Sequence, residues 1–163
     1  MPLAAALAAA SLIWIGALVA AAAAGASEAF LPASIRAFAS VVCHQQPDRS
    51  FFWGAAPWAV CARCLGLYLA APAGALAALS MRGGRAFSSS ANLRLLSVAG
   101  APTLLTWLAE IVVGLPMSNG ARFAAALPLG AAVAWVLVRT ALDARPGRVS
   151  QYTLGDARRG PTR

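Results

Sequence analysis

All three cysteines and the only histidine of this 163-residue chain fall between positions 43 and 64, as Cys43-His44 and Cys61-Ala62-Arg63-Cys64. Three thiols and one imidazole make the ligand set of a closed Cys3His zinc site, and a thiolate-rich set also suits copper. Cys61 and Cys64 are three apart, which places both on one face of a helix that begins there. A helix amino terminus presents free N–H groups and a positive dipole end; with Arg63 between the pair, both features favour thiolate. The pair alone can equally close a disulfide or exchange electrons. Spacing leaves metal binding, redox exchange and a structural disulfide open. Adjacent residues such as Cys43 and His44 reach one metal only through a sharp turn, which Gln46-Pro47 can supply. Without it, His44 caps the preceding helix or hydrogen-bonds the loop.

The next chemically capable group is Glu110, expected five residues from the end of an apolar span, roughly 7 Å deep. A carboxylate there is costly and is expected to be paired or functional. Arg63 and Arg122 fall at matching depth on neighbouring spans, so either can partner it. An ion pair locking three helices outweighs proton transfer, because no other titratable group inside the spans continues a relay. Soluble enzyme classes lack their parts: there is no phosphate-binding glycine loop between strand and helix, no carboxylate pair, and no Ser/His/Asp set.

These residues must be positioned by a chain that is 60% hydrophobic and 11% charged, with a mean hydropathy of +0.70. A soluble domain carries about 25% charged residues. The composition therefore predicts an all-α integral membrane four-helix bundle. Residues 1–142 form its transmembrane domain, with spans near 3–25, 59–81, 95–115 and 121–138. An outer loop over 26–58 carries Cys43 and His44, and a polar, Arg-rich tail covers 143–163. A cleaved signal peptide is the rival for the first span. No basic residue precedes its apolar run, which exceeds the usual signal core, so a retained helix is expected.

Within the outer loop, Ile35, Phe38, Ala39 and Val42 recur at helical spacing, with Arg36 and Ser40 off that face. This predicts a short amphipathic helix at the membrane surface, with Ser34 as its N-cap. Phe51, Phe52, Trp53 and Trp58 suit the interfacial aromatic belt. Trp14, Trp107 and Trp135 are expected to be packing or belt residues. Gly66, Ala70 and Gly74 permit close helix packing, and Pro72, Pro102 and Pro128 are expected to kink their spans.

All thirteen basic residues are arginine, against five acids, for a net charge of +8. They lie between and beyond the apolar spans, without the interleaved aromatics that suit single-stranded nucleic acid, so no nucleic-acid partner is expected. Four spans place Arg82, Arg85, Arg94, Arg139, Arg145, Arg148, Arg158, Arg159 and Arg163 on one side. Arg36, Arg49, Arg63 and Arg122 fall on the other, a bias of nine to four. The bias predicts a multi-pass protein of a bacterial plasma (inner) membrane, both termini cytoplasmic and the Cys/His loop outside. The lipid bilayer is its expected partner.

Cys43-His44-Gln45, Pro47-x-Arg49-Ser50-Phe51 and Cys61-Ala62-Arg63-Cys64-x-Gly66-x-Tyr68 resemble the signature of a family of membrane proteins, domain of unknown function 2085. Ser118-Asn119-x-x-Arg122 with Gly130 resembles its second block. The resemblance covers roughly residues 41–130 and implies fold and membrane location, but no activity. Members often carry Asp-Gly and a Gln ahead of the Ser-Asn block, where this chain has Thr106 and Glu110.

The first expectation is a metal site built from Cys43, His44, Cys61 and Cys64, with Glu110 the alternative to His44 as fourth ligand, holding zinc or copper. Arg49, Arg63, Glu110, Asn119 and Arg122 form its supporting polar cluster. The second is a thiol–disulfide oxidoreductase using Cys61 and Cys64, since four spans with Cys-x-x-Cys at the outer end of the second resemble quinone-coupled disulfide-forming enzymes. Quinone is the cofactor under this alternative alone, with Arg63 or Arg122 as a thiolate or quinone partner. Those enzymes use two cysteine pairs, and this chain has no fourth cysteine. The third is a disulfide that pins the outer loop without catalysis.

Overall fold

The structure, a computed structural model, describes residues 2–25, 29–81 and 88–143. Among these the chain is all-α with one very small hairpin. Four helices are long and apolar enough to cross a membrane: α1 (Pro2–Ala23), α3 (Ala62–Ser80), α4 (Ser89–Val112) and α5 (Asn119–Asp143). Between the first two lie the short helix α2 (Phe30–Val42), a 3-10 turn over Pro47–Arg49, and strands β1 (Phe52–Trp53) and β2 (Ala56–Pro57). Arg82, Arg85 and, beyond Asp143, the Arg-rich tail lie outside the described residues.

Backbone groups in hydrocarbon must be satisfied within their own segment, so apolar runs of this length become helices. Their outward faces are apolar, as in Leu12 and Ile13 of α1, Leu69 and Leu76 of α3, Leu104 and Leu105 of α4, and Val133 and Leu137 of α5. The central contact is between α3 and α5; α1 lies against both, and α4 against α5. Small residues make the central approach possible. A Cβ on Gly66 would meet the Phe123 carbonyl, one on Gly74 the Ala131 carbonyl, and one on Gly130 the Leu67 carbonyl. Thr103 of α4 adds a hydroxyl hydrogen bond to the Ala125 carbonyl of α5, 2.8 Å long. Pro72, Pro102 and Pro128 all sit inside continuous helices.

Two buried clusters divide the bundle along its length. At one end Ala4 and Ala8 of α1 pack with Ala75 and Ala78 of α3 and Val138 and Leu142 of α5. At the other, Leu18 and Ala21 of α1 meet Ala39 of α2, Cys43, Ala59, Val60 and Leu65. The start of α1 therefore shares an end with the last turns of α3 and α5, and all the cysteines lie at the opposite end.

The outer segment departs from expectation in two places. Helix α2 begins at Phe30 after Ala29, and Ser34 is not its cap. The Ser34 hydroxyl instead donates to the Phe30 carbonyl one turn back, a local bond open to any serine inside a helix. Pro32 falls in the first turn, where its missing N–H has no carbonyl to serve. The hairpin was not anticipated: Phe52 pairs with Pro57 and Trp53 with Ala56. Gly54 supplies the positive φ, 60°, that a two-residue turn requires at its first position. Phe30, Leu31, Phe38 and Val41 of α2, with Phe52 and Trp53 of β1, are all exposed, an apolar rim of the kind that suits a lipid interface.

Candidate metal centre

Cys43 is the residue at which α2 ends, and its backbone is already extended (φ −144°, ψ 134°). Successive side chains on extended backbone point to opposite sides. Cys43 accordingly turns inward and is 4% exposed, whereas His44 is exposed. Gln45 then takes a positive φ of 49°, rare for a residue with a Cβ, and the chain reverses. Its amide holds the turn, donating to the Arg36 carbonyl at 2.7 Å and the Ala59 carbonyl at 2.8 Å. These two bonds draw the end of α2 onto the segment that leads into α3.

That segment delivers the other two sulfurs. Cys61 is the N-cap residue of α3 and makes no side-chain capping bond; Cys64 follows within the first turn. Each of the three Sγ atoms lies within 4.8 Å of the other two. The Cys61 and Cys64 sulfurs are 3.4 Å apart, and all three cysteines are free thiols. The Cys61 N–H donates to the Cys43 sulfur at 3.2 Å, tying the loop cysteine to the helix end. The hydrogen bond with Cys64 holds the Cys61 thiol down to about 5, against burial, which acts the other way. His44 is not among the donors gathered here. The sharp turn comes one residue too late to bring it round, so the fold assembles three of the four expected ligands.

The polar cluster is built on the same end of the bundle. Helix α4 ends at Val112, where Gly114 takes a φ of 71° and the Leu115 N–H bonds back to the Ala109 carbonyl. Glu110 therefore sits in the last turn of α4, nearer the rim than expected. It has two partners: Arg63 Nη2 at 2.9 Å and Arg122 Nε at 2.6 Å. Its side chain is 8% exposed, and those of the arginines are 15% and 12%. The triad thus joins α3, α4 and α5. Arg122 Nη1 continues to Asn119 Oδ1 at 2.7 Å, and Asn119 Nδ2 reaches the Ser50 carbonyl at 3.0 Å. Asn119 opens α5 next to Ser118, whose hydroxyl accepts from the Ala121 N–H as the N-cap. Ser50, 1% exposed, donates its hydroxyl to the Gln46 carbonyl.

Arg49 lies outside this network. Its nearest acid is the exposed Asp48 at 3.8 Å. Arg49 does line a cavity of about 320 Å3 together with Cys43, His44, Cys61, Arg63, Cys64, Trp107 and Arg122. Three cysteines and three arginines therefore line one space.

Sequence reasoning missed two residues that hold the site in place. Arg36 read as a charge off the apolar face. In the structure it bonds the Ala21 and Gly25 carbonyls at the end of α1 and the Pro57 carbonyl of β2, meeting a helix carboxyl end with positive charge. Gln45 stood in the family-like block without a role. The signal for Gln45 was a long polar side chain beside a chain break, where free carbonyls gather; Arg36, in the middle of α2, carried none.

A multi-pass membrane protein with three thiols and an ion-paired carboxylate at one end is the class this geometry defines. The chain belongs to the family described as "Predicted membrane protein (DUF2085)", whose model matches residues 43–136. That stretch begins at Cys43 and takes in every residue of the cluster. The chain is also 49% identical over 39 residues to the uncharacterized protein MJ1492 of Methanocaldococcus jannaschii. The match covers 24% of this chain and 25% of that protein. No solved structure matches the chain.

Proposed function

We propose that this protein binds a zinc or copper ion through Cys43, Cys61 and Cys64. The observation that carries the reading is the mutual approach of the three sulfurs, each within 4.8 Å of the others. Tetrahedral zinc with thiolates at about 2.3 Å requires sulfurs about 3.8 Å apart, so small side-chain rotations bring the set to bonding geometry. The Cys61 N–H on the Cys43 sulfur is the sort of outer contact that orients a ligand. The arginine bias supports a site on the outer face of a bacterial plasma membrane, with both termini cytoplasmic.

One observation favours a second reading. Cys61 and Cys64 have sulfurs 3.4 Å apart, and Cys61 is the more acidic, as in a dithiol poised to form a disulfide. Oxidation to the disulfide would give up two electrons and the Cys64 proton, and a quinone taking up both electrons, that proton and one from water would become a quinol. Metal content by elemental mass spectrometry, with thiol counting by alkylation before and after reduction, separates the two. About one zinc or copper per chain and no reducible disulfide supports the metal site; no metal and one reducible disulfide supports redox exchange and rejects it.

A further inference from the structure

The cavity lined by the three cysteines is unusual in its charge. Arg49, Arg63 and Arg122 all line it. Glu110 is shared between Arg63 and Arg122, so one negative charge is set against two positive ones before Arg49 is added. Asp48, three-quarters exposed and 3.8 Å from Arg49, is too solvated to neutralise it. Carboxylate and phosphate oxygens are the groups whose geometry matches planar guanidinium donors.

We propose that this cavity binds an oxyanion, a carboxylate or phosphate group, between the arginines and the three sulfurs, where it completes the coordination of the metal. The inference rests on the metal reading above. Three thiolates around a divalent ion carry a net negative charge and leave a tetrahedral ion one position short. The arginine wall offsets that charge and offers the incoming group a second set of partners. Cys61 precedes α3 and Glu110 falls in the last turn of α4, so the cavity lies near the ends of the spans. The group can therefore come from a small soluble anion or from an anionic lipid headgroup.

The test uses full-length protein in mild detergent loaded with Co2+, whose thiolate charge-transfer and d–d absorption report its ligands. Acetate and methyl phosphate are titrated in. Parallel samples sit in phosphatidylcholine nanodiscs with and without phosphatidylglycerol. Saturable movement of the d–d bands by a free anion supports a soluble ligand, and movement with phosphatidylglycerol alone supports a lipid headgroup. Arg49→Gln, which leaves the Glu110 triad intact, should raise the half-saturating concentration about tenfold, the loss of one charge-assisted hydrogen bond. Arg63→Lys, which keeps the charge but loses the fork, should act in the same direction. Thiolate bands that no anion moves overturn the inference and leave the metal site standing. Bands altered by His44→Ala as by a lost ligand also overturn it, because the fourth position then belongs to His44. Absence of any thiolate band overturns the metal reading and this inference together.

Discussion

Arg122 Nε lies 2.6 Å from Glu110 Oε1, and Arg63 holds the other oxygen of the same carboxylate at 2.9 Å. One acid at the end of α4 thus bonds basic residues on α3 and α5. Removing one member of a buried ion pair leaves the other charged and unpaired, at a cost of about 3–5 kcal/mol. Glu110→Ala should therefore lower the thermal unfolding temperature in detergent sharply, while Glu110→Asp should lose less. A variant as stable as the parent would show that the triad does not lock the helices.

The helix pair α3/α5 has no room for added atoms at Gly66, Gly74 and Gly130. Gly74→Ala and Gly130→Ala each place a methyl group against a backbone carbonyl, and overpacking of this kind costs about 1–3 kcal/mol. Gly16→Ala in α1, where nothing lies within 4 Å, is the control and should be neutral or slightly stabilising. Melting by fluorescence in detergent reads all three.

Gln45 joins the end of α2 to the approach to α3 through two carbonyls. Gln45→Leu removes both bonds and should cost about 1–3 kcal/mol, most of it at the Ala59 carbonyl, since the Arg36 carbonyl also serves its own helix. Because the same turn seats Cys43, bound metal per chain should fall as well, in the same preparations. A destabilised variant with full metal content would separate the turn from the site.

Each single cysteine substitution, Cys43→Ala, Cys61→Ala or Cys64→Ala, should abolish retention of metal through gel filtration, since two thiolates hold a divalent ion far less well than three. His44→Ala should leave it unchanged, as the exposed imidazole lies outside the sulfur group. Elemental analysis of the four proteins decides between a three-sulfur and a Cys3His site.

Cys61 carries the chemical asymmetry. Its thiol is held down to about 5 by Cys64, so in metal-free, reduced protein it stays thiolate at neutral pH. Alkylation of Cys61 by iodoacetamide should be flat on going from about pH 8 to about pH 6 and fall only as pH drops through the lowered value. Mass-spectrometric mapping of the labelled residue follows it. In Cys64→Ala, with the hydrogen-bond donor gone, the fall should begin at higher pH.

Four apolar runs, the position of the thiols and the pairing of Glu110 with basic neighbours were all legible in the order of residues. Helices in a membrane form wherever an uncharged stretch is long enough, a property of composition alone. A buried carboxylate needs a counter-charge at its own depth, and depth can be counted along a helix. That both arginines would share Glu110 could not be counted, because it depends on how three helices turn about their axes. The fate of His44 was equally a matter of backbone. Extended geometry at Cys43 and a positive φ at Gln45 send neighbouring side chains apart, and no residue pattern states where a helix's last turn will end. Ser34 misled for a related reason, since its hydroxyl serves a cap or a carbonyl one turn back equally well. The long bonds of Arg36, Gln45 and Asn119 join segments up to 71 positions apart in the chain. Their partners are carbonyls, which every residue carries, so only the packed fold could select which ones they meet.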